Sequence, residues 1–417
     1  MLEALRNAWK IPDLRRRIQY TALMLLLFRL GTFIPVPRMD PSAVRSIIER
    51  GALLGFFDII AGGAFSQFSV FAMSITPYIN ASIIVQLLTV VIPRWEELAK
   101  EGEAGRKVLA QYTRYGTVIL GLIQATGLSI GFKSAMKPGV LSNIVVIVSL
   151  TAGTAFLMWL GEQITDKGIG NGISLLIFAG IVSRIPASIY QTYALIKVGS
   201  LNIFMLLILA VLGITVIVGV IAVQEAERRV PVQYAKRIVG RRVYGGQSTH
   251  IPIKINSAGV IPVIFAMSIL MFPSTLAGFF PNNKVMVSIA QFFRPSGWLY
   301  AVLYALLIVF FTYFYTAITF NPVEMANNMK KYGGFIPGIR PGRPTADYIS
   351  RILNRITLAG AVFLAAIALL PYVMTAVSGI NISFGGTALL IVVGVAIETM
   401  KAIEAQMLMR HYQGFLK

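Results

Sequence analysis

The sequence predicts an all-α polytopic membrane protein with ten transmembrane helices, and three observations carry that expectation. Hydrophobic residues make up 56% of the 417 residues and charged residues only 13%, whereas charged side chains supply about a quarter of an ordinary soluble domain. Mean hydropathy is +0.73. Apolar runs long enough to cross a roughly 30 Å hydrocarbon core recur along the whole chain.

Taken in order, those runs lie near 18–36, 74–92, 115–132, 144–160, 172–193, 203–223, 257–278, 298–320, 357–373 and 386–403. The first imitates a secretory signal because Arg15, Arg16 and Arg17 precede it. Arg29 lies inside it, however, no small-residue cleavage site follows, and nine further runs come after, so it reads as a retained span. An even number of spans puts both termini on one side of the membrane. The segments on that side hold 27 of the 37 Lys and Arg residues and the opposite set holds 8, with Arg29 and Arg184 inside spans. The excess of cations marks the cytoplasmic side, which places both termini in the cytoplasm. The formal charge of +20 is therefore first a statement about topology.

The stretch Phe56 to Ile92 does not fit a single span. As one helix it would run to about 55 Å at 1.5 Å per residue, well beyond the bilayer core. Asp58, Gly62, Gly63, Gln67 and Pro77 make its first part a poor span, while Ile75 to Ile92 is apolar and long enough to cross. The expectation is a short, half-polar helix leading into a genuine span. Irregular backbone at membrane depth is tolerated where it is buried in protein or lines a wet cavity, so this stretch points to a pore or binding site.

The two longest loops on the cation-rich side, 224–256 and 321–356, carry 13 of the 27 cations against only Glu225, Glu227, Glu324 and Asp347. The first holds Arg228-Arg229, Lys236-Arg237 and Arg241-Arg242 alternating with Val, Tyr and Ile, and Gly245-Gly246 offers a turn for a β-hairpin. The second opens on a helix, passes through GGFIPGIRPGRP and closes on an amphipathic helix entering the ninth span, with Arg340 and Arg343 on a rigid tip. Orientation needs only a few cations beside the bilayer, so loops this long suggest a partner with a negatively charged surface, ribosomal RNA or an acidic protein.

Several residues have ordinary explanations. Ile79 and Ile83, like Ile173 and Ile177, share a helix face at i, i+4, as core or lipid-facing packing requires. Arg29 and Arg184 are expected to snorkel or face water, with Pro186 favouring a helix end or kink nearby. Gln86, Thr89 and Asn256 fit interhelical hydrogen bonds, or part of a gate in a channel. DKGIGNGIS lacks the βαβ setting of a nucleotide loop and reads as a turn with Asn171 capping a helix.

Chemistry is sparse. Cysteine is absent and His250 and His411 are the only histidines, which excludes disulfides, thiol catalysis and thiolate metal sites and leaves little for a His-based one. There is no GxxxxGK[ST], GxSxG or HExxH motif and no acidic cluster within the spans. Neither an enzyme nor a cofactor is expected. A secondary transporter with inverted repeats is the alternative, but it needs a midplane site of charged or ion-coordinating groups.

Five separate segments resemble the SecY family, the channel subunits of the bacterial Sec protein translocase: EGEAGRKVLAQYTRYGT (101–117), LGEQITDKGIGNGIS (160–174), 234–265, FNPVEMANNMKKYGGFIPGIRPG (320–342) and FGGTALLIVV (384–393). The resemblance implies two inverted pseudo-repeats, 1–195 and 196–417, forming a clamshell around a central hourglass pore. It implies a constriction ring of Ile79, Ile83, Ile173, Ile177, Ile264 and Ile391. It further implies a plug at about 57–71, including Asp58, Ile59, Ile60, Ala61, Gly62, Gly63, Ala64 and Phe65, and a lateral gate between spans 2 and 7 with Gln86 and Asn256. Lys236, Arg237, Arg241, Arg242 and Arg340 would dock the SecA motor ATPase or the ribosome. SecE-like and SecG-like membrane subunits, secretory precursors with their signal sequences, and the lipid bilayer are the other implied partners, and the cell inner (cytoplasmic) membrane the implied location. Such a channel passes unfolded polypeptides and releases transmembrane segments sideways. Arg184 departs from the family, which generally carries a small uncharged residue there.

Overall fold

The computed structural model describes residues 8–40, 42–44, 63–197, 203–234, 237–239, 242–244, 248–278, 284–285, 288, 292–293, 297–378 and 386–414. Helix α1 (Pro12–Gly31) starts on a proline, whose missing N–H costs nothing in a first turn. Residues 63–75 then form successive turns rather than the short helix expected. The physical reason is packing: Val36 N donates to Phe68 O (2.9 Å) and Val70 N to Ile34 O (2.9 Å), tying the segment to the chain after α1. Helix α2 (Thr76–Val91) carries Pro77 in its first turn. It stops at Ile92, whose extended backbone precedes Pro93 because proline disfavours α conformation in the residue before it. The chain bends there by 102° into the short amphipathic α3 (Pro93–Lys100).

Helices α4 (Glu103–Gly131), α5 (Val140–Lys167), α6 (Gly172–Val182) and α7 (Ile185–Lys197) complete this part of the chain. The break between α6 and α7 falls beside Pro186, as expected. Asn171 Oδ1 accepts from Ile173 N (3.0 Å) and Ser174 N (3.2 Å), so the predicted cap is present. Helix α5 lies against the 63–75 turns through Gly153, where a Cβ would sit 2.0 Å from Val70 O. Any larger residue would push the two segments apart.

The remainder comprises α8 (Ile203–Glu225), β1 (Glu227–Tyr234), β2 (Arg237–Val239), β3 (Arg242–Tyr244), β4 (Ser248–Lys254), α9 (Ile261–Gly278), α10 (Trp298–Thr319), α11 (Pro322–Lys331), β5 (Gly334–Phe335), α12 (Arg343–Ser378) and α13 (Gly386–Gly414). Among the described residues five helices are long and apolar enough to cross a membrane, six if the bent α2–α3 pair counts as one span, and Ala210–Glu225 and Ile261–Pro273 are shorter apolar helices. One apolar cluster, from Met24 to Val395, fills the interior between them. Outward-facing side chains such as Leu26, Ile144, Ile214, Leu306 and Val362 are more than half exposed, a surface suited to lipid and a liability in water.

The two long loops are not independent. Strands β1 and β4 pair antiparallel from Glu227↔Lys254 to Gln233↔Ser248, and β5 adds to the other edge of β1 at Gln233↔Phe335 and Tyr234↔Gly334. The resulting sheet, in the order β4-β1-β5, has its own apolar core of Val230, Val232, Ile253, Met329, Ile336, Ile349 and Leu353. The predicted hairpin exists, with a correction to its tip. Strands β2 and β3 already pair at Val239↔Arg242, ahead of Gly245-Gly246, which lie outside the described residues.

Candidate functional site

The six isoleucines singled out by the sequence converge on the interior cluster. Ile79, Ile83, Ile177, Ile264 and Ile391 are buried within it, and Ile173 packs against it half-buried. They arrive on four helices: α2 packs on α9, and α6 packs on α13. The tip of Ile173 fills the space over Gly161 of α5, where a Cβ would lie 2.4 Å from its Cδ1. Aliphatic side chains from four elements can close an interior without offering any fixed hydrogen-bonding partner.

The polar residues beside these helices make their side-chain hydrogen bonds locally, which corrects the expectation of interhelical hydrogen bonds. Gln86 Nε2 donates to Ser82 Oγ (3.3 Å), and Thr89 Oγ1 donates to Val85 O (2.7 Å), both within α2. Asn256 Nδ2 donates to Gly259 O (3.0 Å) in its own turn. Back-bonding to the preceding turn answers a polar side chain without a neighbouring helix. Packing of α2 against α9 brings the elements carrying Gln86 and Asn256 together, but no hydrogen bond joins the two side chains among the described residues.

Of the expected plug, Asp58, Ile59, Ile60, Ala61 and Gly62 lie outside the described residues. Gly63 has φ +90°, and a Cβ on it would lie 3.7 Å from the Arg184 guanidinium. Arg184 thus approaches this segment. Ala64 and Phe65 are buried, and Phe65 and Phe68 pack on Phe132 at ring distances of 5.9 and 5.3 Å. Phe71 stacks between Phe28 (6.2 Å) and Phe156 (6.0 Å). The sequence reading places Phe65 in the plug and puts 68 and 71 within its bounds; it misses that these aromatics pack into the wall, although their spacing at 65, 68 and 71 is a signal for one packed edge. Arg29 does more than snorkel: its Nη1 donates to Ser183 Oγ (3.3 Å), and its guanidinium lies 4.7 Å from the Phe33 ring centre.

Arg340 is exposed on the tip between β5 and α12, where Thr345 Oγ1 donates to its carbonyl (2.9 Å) and fixes the backbone. Arg237 and Arg242 sit on β2 and β3, while Lys236 and Arg241 lie outside the described residues. Helix α11 beneath the tip is capped by Asn321 Oδ1, which accepts from Val323 N (3.1 Å) and Glu324 N (3.3 Å).

Comparison with known proteins decides what this arrangement belongs to. A profile described as SecY matches residues 69–400. The chain belongs to the SecY family. Curated relatives named protein translocase subunit SecY include that of Halalkalibacterium halodurans, 51% identical with all of both chains covered. That of Thermotoga maritima is 49% identical, covering all of this chain and 98% of the relative. That of Escherichia coli K12 is 46% identical, covering 98% and 95%. Among solved structures, one described as the structure of a protein conducting channel has TM-score 0.66 at 20% identity, covering 94% of this chain and 92% of the other. Sec61 in the canine ribosome-channel complex has TM-score 0.64 at 17% identity with the same coverage. This SecY-family chain is a protein-conducting channel subunit of a multi-pass membrane protein class. The transporter alternative finds no support.

Proposed function

We propose that the chain forms a passive, gated pore in the cytoplasmic membrane, with both termini in the cytoplasm, through which unfolded polypeptides cross and from which apolar segments leave sideways into lipid. Its two halves, 1–195 and 196–417, are inverted five-span repeats, ten spans together, closed as a clamshell. The carrying observation is the equivalence of helix neighbours. The packed pairs α2–α4, α4–α5, α5–α6 and α1–α6 in the first half have counterparts α9–α10, α10–α12, α12–α13 and α8–α13 in the second. The halves meet where α9 touches α2 and α4 and where α13 touches α6.

In this reading Ile79, Ile83, Ile173, Ile177, Ile264 and Ile391 form the constriction. Apolar branched side chains close around any extended chain and discourage ions by dewetting. Gln86 and Asn256 flank the lateral gate between α2 and α9. The plug swings from Gly63, because Ala64 onward is wedged by Phe65, Phe68 and Phe71 into the first half. Arg340, with Lys236, Arg237, Arg241 and Arg242, docks a SecA-like motor or the ribosome. The subunit performs no chemistry itself, so its partners supply the energy.

Small SecE-like and SecG-like membrane proteins complete the assembly. Purification of the tagged chain in mild detergent should bring down two small helical membrane proteins in stoichiometric amounts. A chain that purifies alone yet conducts precursors would contradict the complex.

A further inference from the structure

Beside the gate residue Asn256, residues that no pore or docking role uses meet at the turn that launches α9. Strand β4 ends at Lys254, and Ile255 N donates to Ala226 O (2.9 Å), which binds the turn to the end of α8. The turn residues Asn256, Ala258 and Val260 are each 6% exposed or less. Gly259 has φ +64°, a left-handed conformation that other residues adopt only with strain, and a Cβ there would lie 2.6 Å from Glu398 Oε1 on α13. The carboxylate therefore occupies the space where a side chain would stand. One helical turn before Glu398, Gly394 lets Val260 Cγ1 come within 2.4 Å and Gln224 Nε2 within 2.9 Å of its Cβ position. Helix α12 closes the remaining side, since a Cβ on Gly360 would lie 2.8 Å from Ile255 O.

Two further observations mark this node as poised rather than merely filled. Gln224 and Asn256 are 8% and 6% exposed, yet among the described residues Gln224 Nε2 and Asn256 Oδ1 have no hydrogen-bond partner. A buried donor and acceptor left open are unfavourable, so this arrangement is held by its neighbours and not by its own bonds. Glu398 itself is exposed on its free side and has no ion pair within the described residues. Lys254 and Lys401 are the cations facing it, and Lys401 is engaged with Glu225 at 2.7 Å. The turn leads straight into the first turn of α9, where Ile264 N donates to Val260 O (3.2 Å). A shift of the turn is thus a shift of Ile264.

We propose that Glu398 is a positioning residue for the gate: seated on Gly259, it clamps the 255–260 turn to α13, so that the β4-β1-β5 sheet, the turn and α9 move as one lever and Ile264 stays in the closed constriction. This rests on the gate and ring assignments above. The lever needs no new ligand, because anything that displaces the sheet pulls on Lys254 and hence on the turn.

The test uses the whole complex in vesicles with a motor ATPase, comparing export of a normal precursor with one whose signal is defective. Glu398→Ala and Gly259→Ala should each raise export of the defective precursor three- to tenfold, with Glu398→Gln, which keeps the shape and drops the charge, giving a smaller rise. Because both act through one contact, the double variant should not exceed the larger single effect. Additive effects, or no change in Glu398→Gln and Glu398→Ala complexes that purify normally, would overturn the proposal. Gln86→Leu, on the other side of the gate, separates the two levels. If it alters signal dependence while Glu398 variants do not, the gate stands and the clamp falls; if none does, the gate assignment falls and the clamp with it.

Discussion

The membrane interior and the β4-β1-β5 sheet are both closed by small aliphatic side chains, but they do opposite work. In the interior, isoleucines from four helices meet with no fixed polar partner, and Gln86, Thr89 and Asn256 turn inward to their own segments. In the proposed pore, a passing chain of any sequence would find nothing there to hold it. In the sheet, the aliphatic core of Val230, Val232 and Ile253 is hidden under an exposed basic surface whose backbone is pinned by strand pairing and by Thr345. In the function proposed above, one region is indifferent to sequence and the other binds a partner, and along the chain only the 255–260 turn separates β4 from α9.

The sharpest way to break that contrast is to reverse a charge on the binding side only. Arg340→Glu should reduce motor-driven translocation at least tenfold. Its side chain is exposed, so folded complex and resting ion leak should stay as they were, surface changes of this kind costing within about 0.5 kcal/mol. Normal transport rates would remove Arg340 from the docking surface.

A second change touches only the conducting side. Deleting residues 58–62, ahead of the aromatic wedge, should raise resting ion leak several-fold while leaving docking and translocation possible. Extending the deletion through Phe68 should instead lower the yield of folded complex, because Phe65 and Phe68 are part of the wall. An unchanged leak from the shorter deletion would contradict the plug.

The smallest effect probes the sheet core. Ile253→Ala, at a residue 1% exposed, should destabilise the sheet by about 2 to 5 kcal/mol. Limited proteolysis should then cut the 224–256 loop faster, with translocation falling about twofold and leak unaffected. Leak that rises in step would mean that the two regions are not separable.

How far the sequence reaches follows the same division. Helix positions were legible because apolar length is a local signal, and Pro186 reads as a helix end or kink where α7 begins; Pro77 and Pro93, in the first turns of α2 and α3, carry a signal of the same local kind. The Asn171 cap was legible for the same reason. The proposed constriction was not, since Ile79 and Ile83 look like any pair on one helix face, and only the family resemblance distinguished them. What escaped altogether was non-local. Gly334 and Phe335 form a strand only because they meet Gln233 and Tyr234, about a hundred residues away. The 63–75 segment gave up helix for hydrogen bonds to Ile34 and Val36. Glu398 has meaning only beside Gly259, which no spacing along the chain could reveal.

The central claim is that the isoleucine constriction surrounds the polypeptide in transit. The chain has no cysteine, so a single cysteine placed at Ile83 or Ile264 is the only thiol it offers. With a secretory precursor stalled part-way, both positions should crosslink to it, and lipid-facing Ile214, 63% exposed, should not. Reproducible absence of crosslinks from Ile83 and Ile264 in an intact complex, or equal labelling from Ile214, would contradict the account.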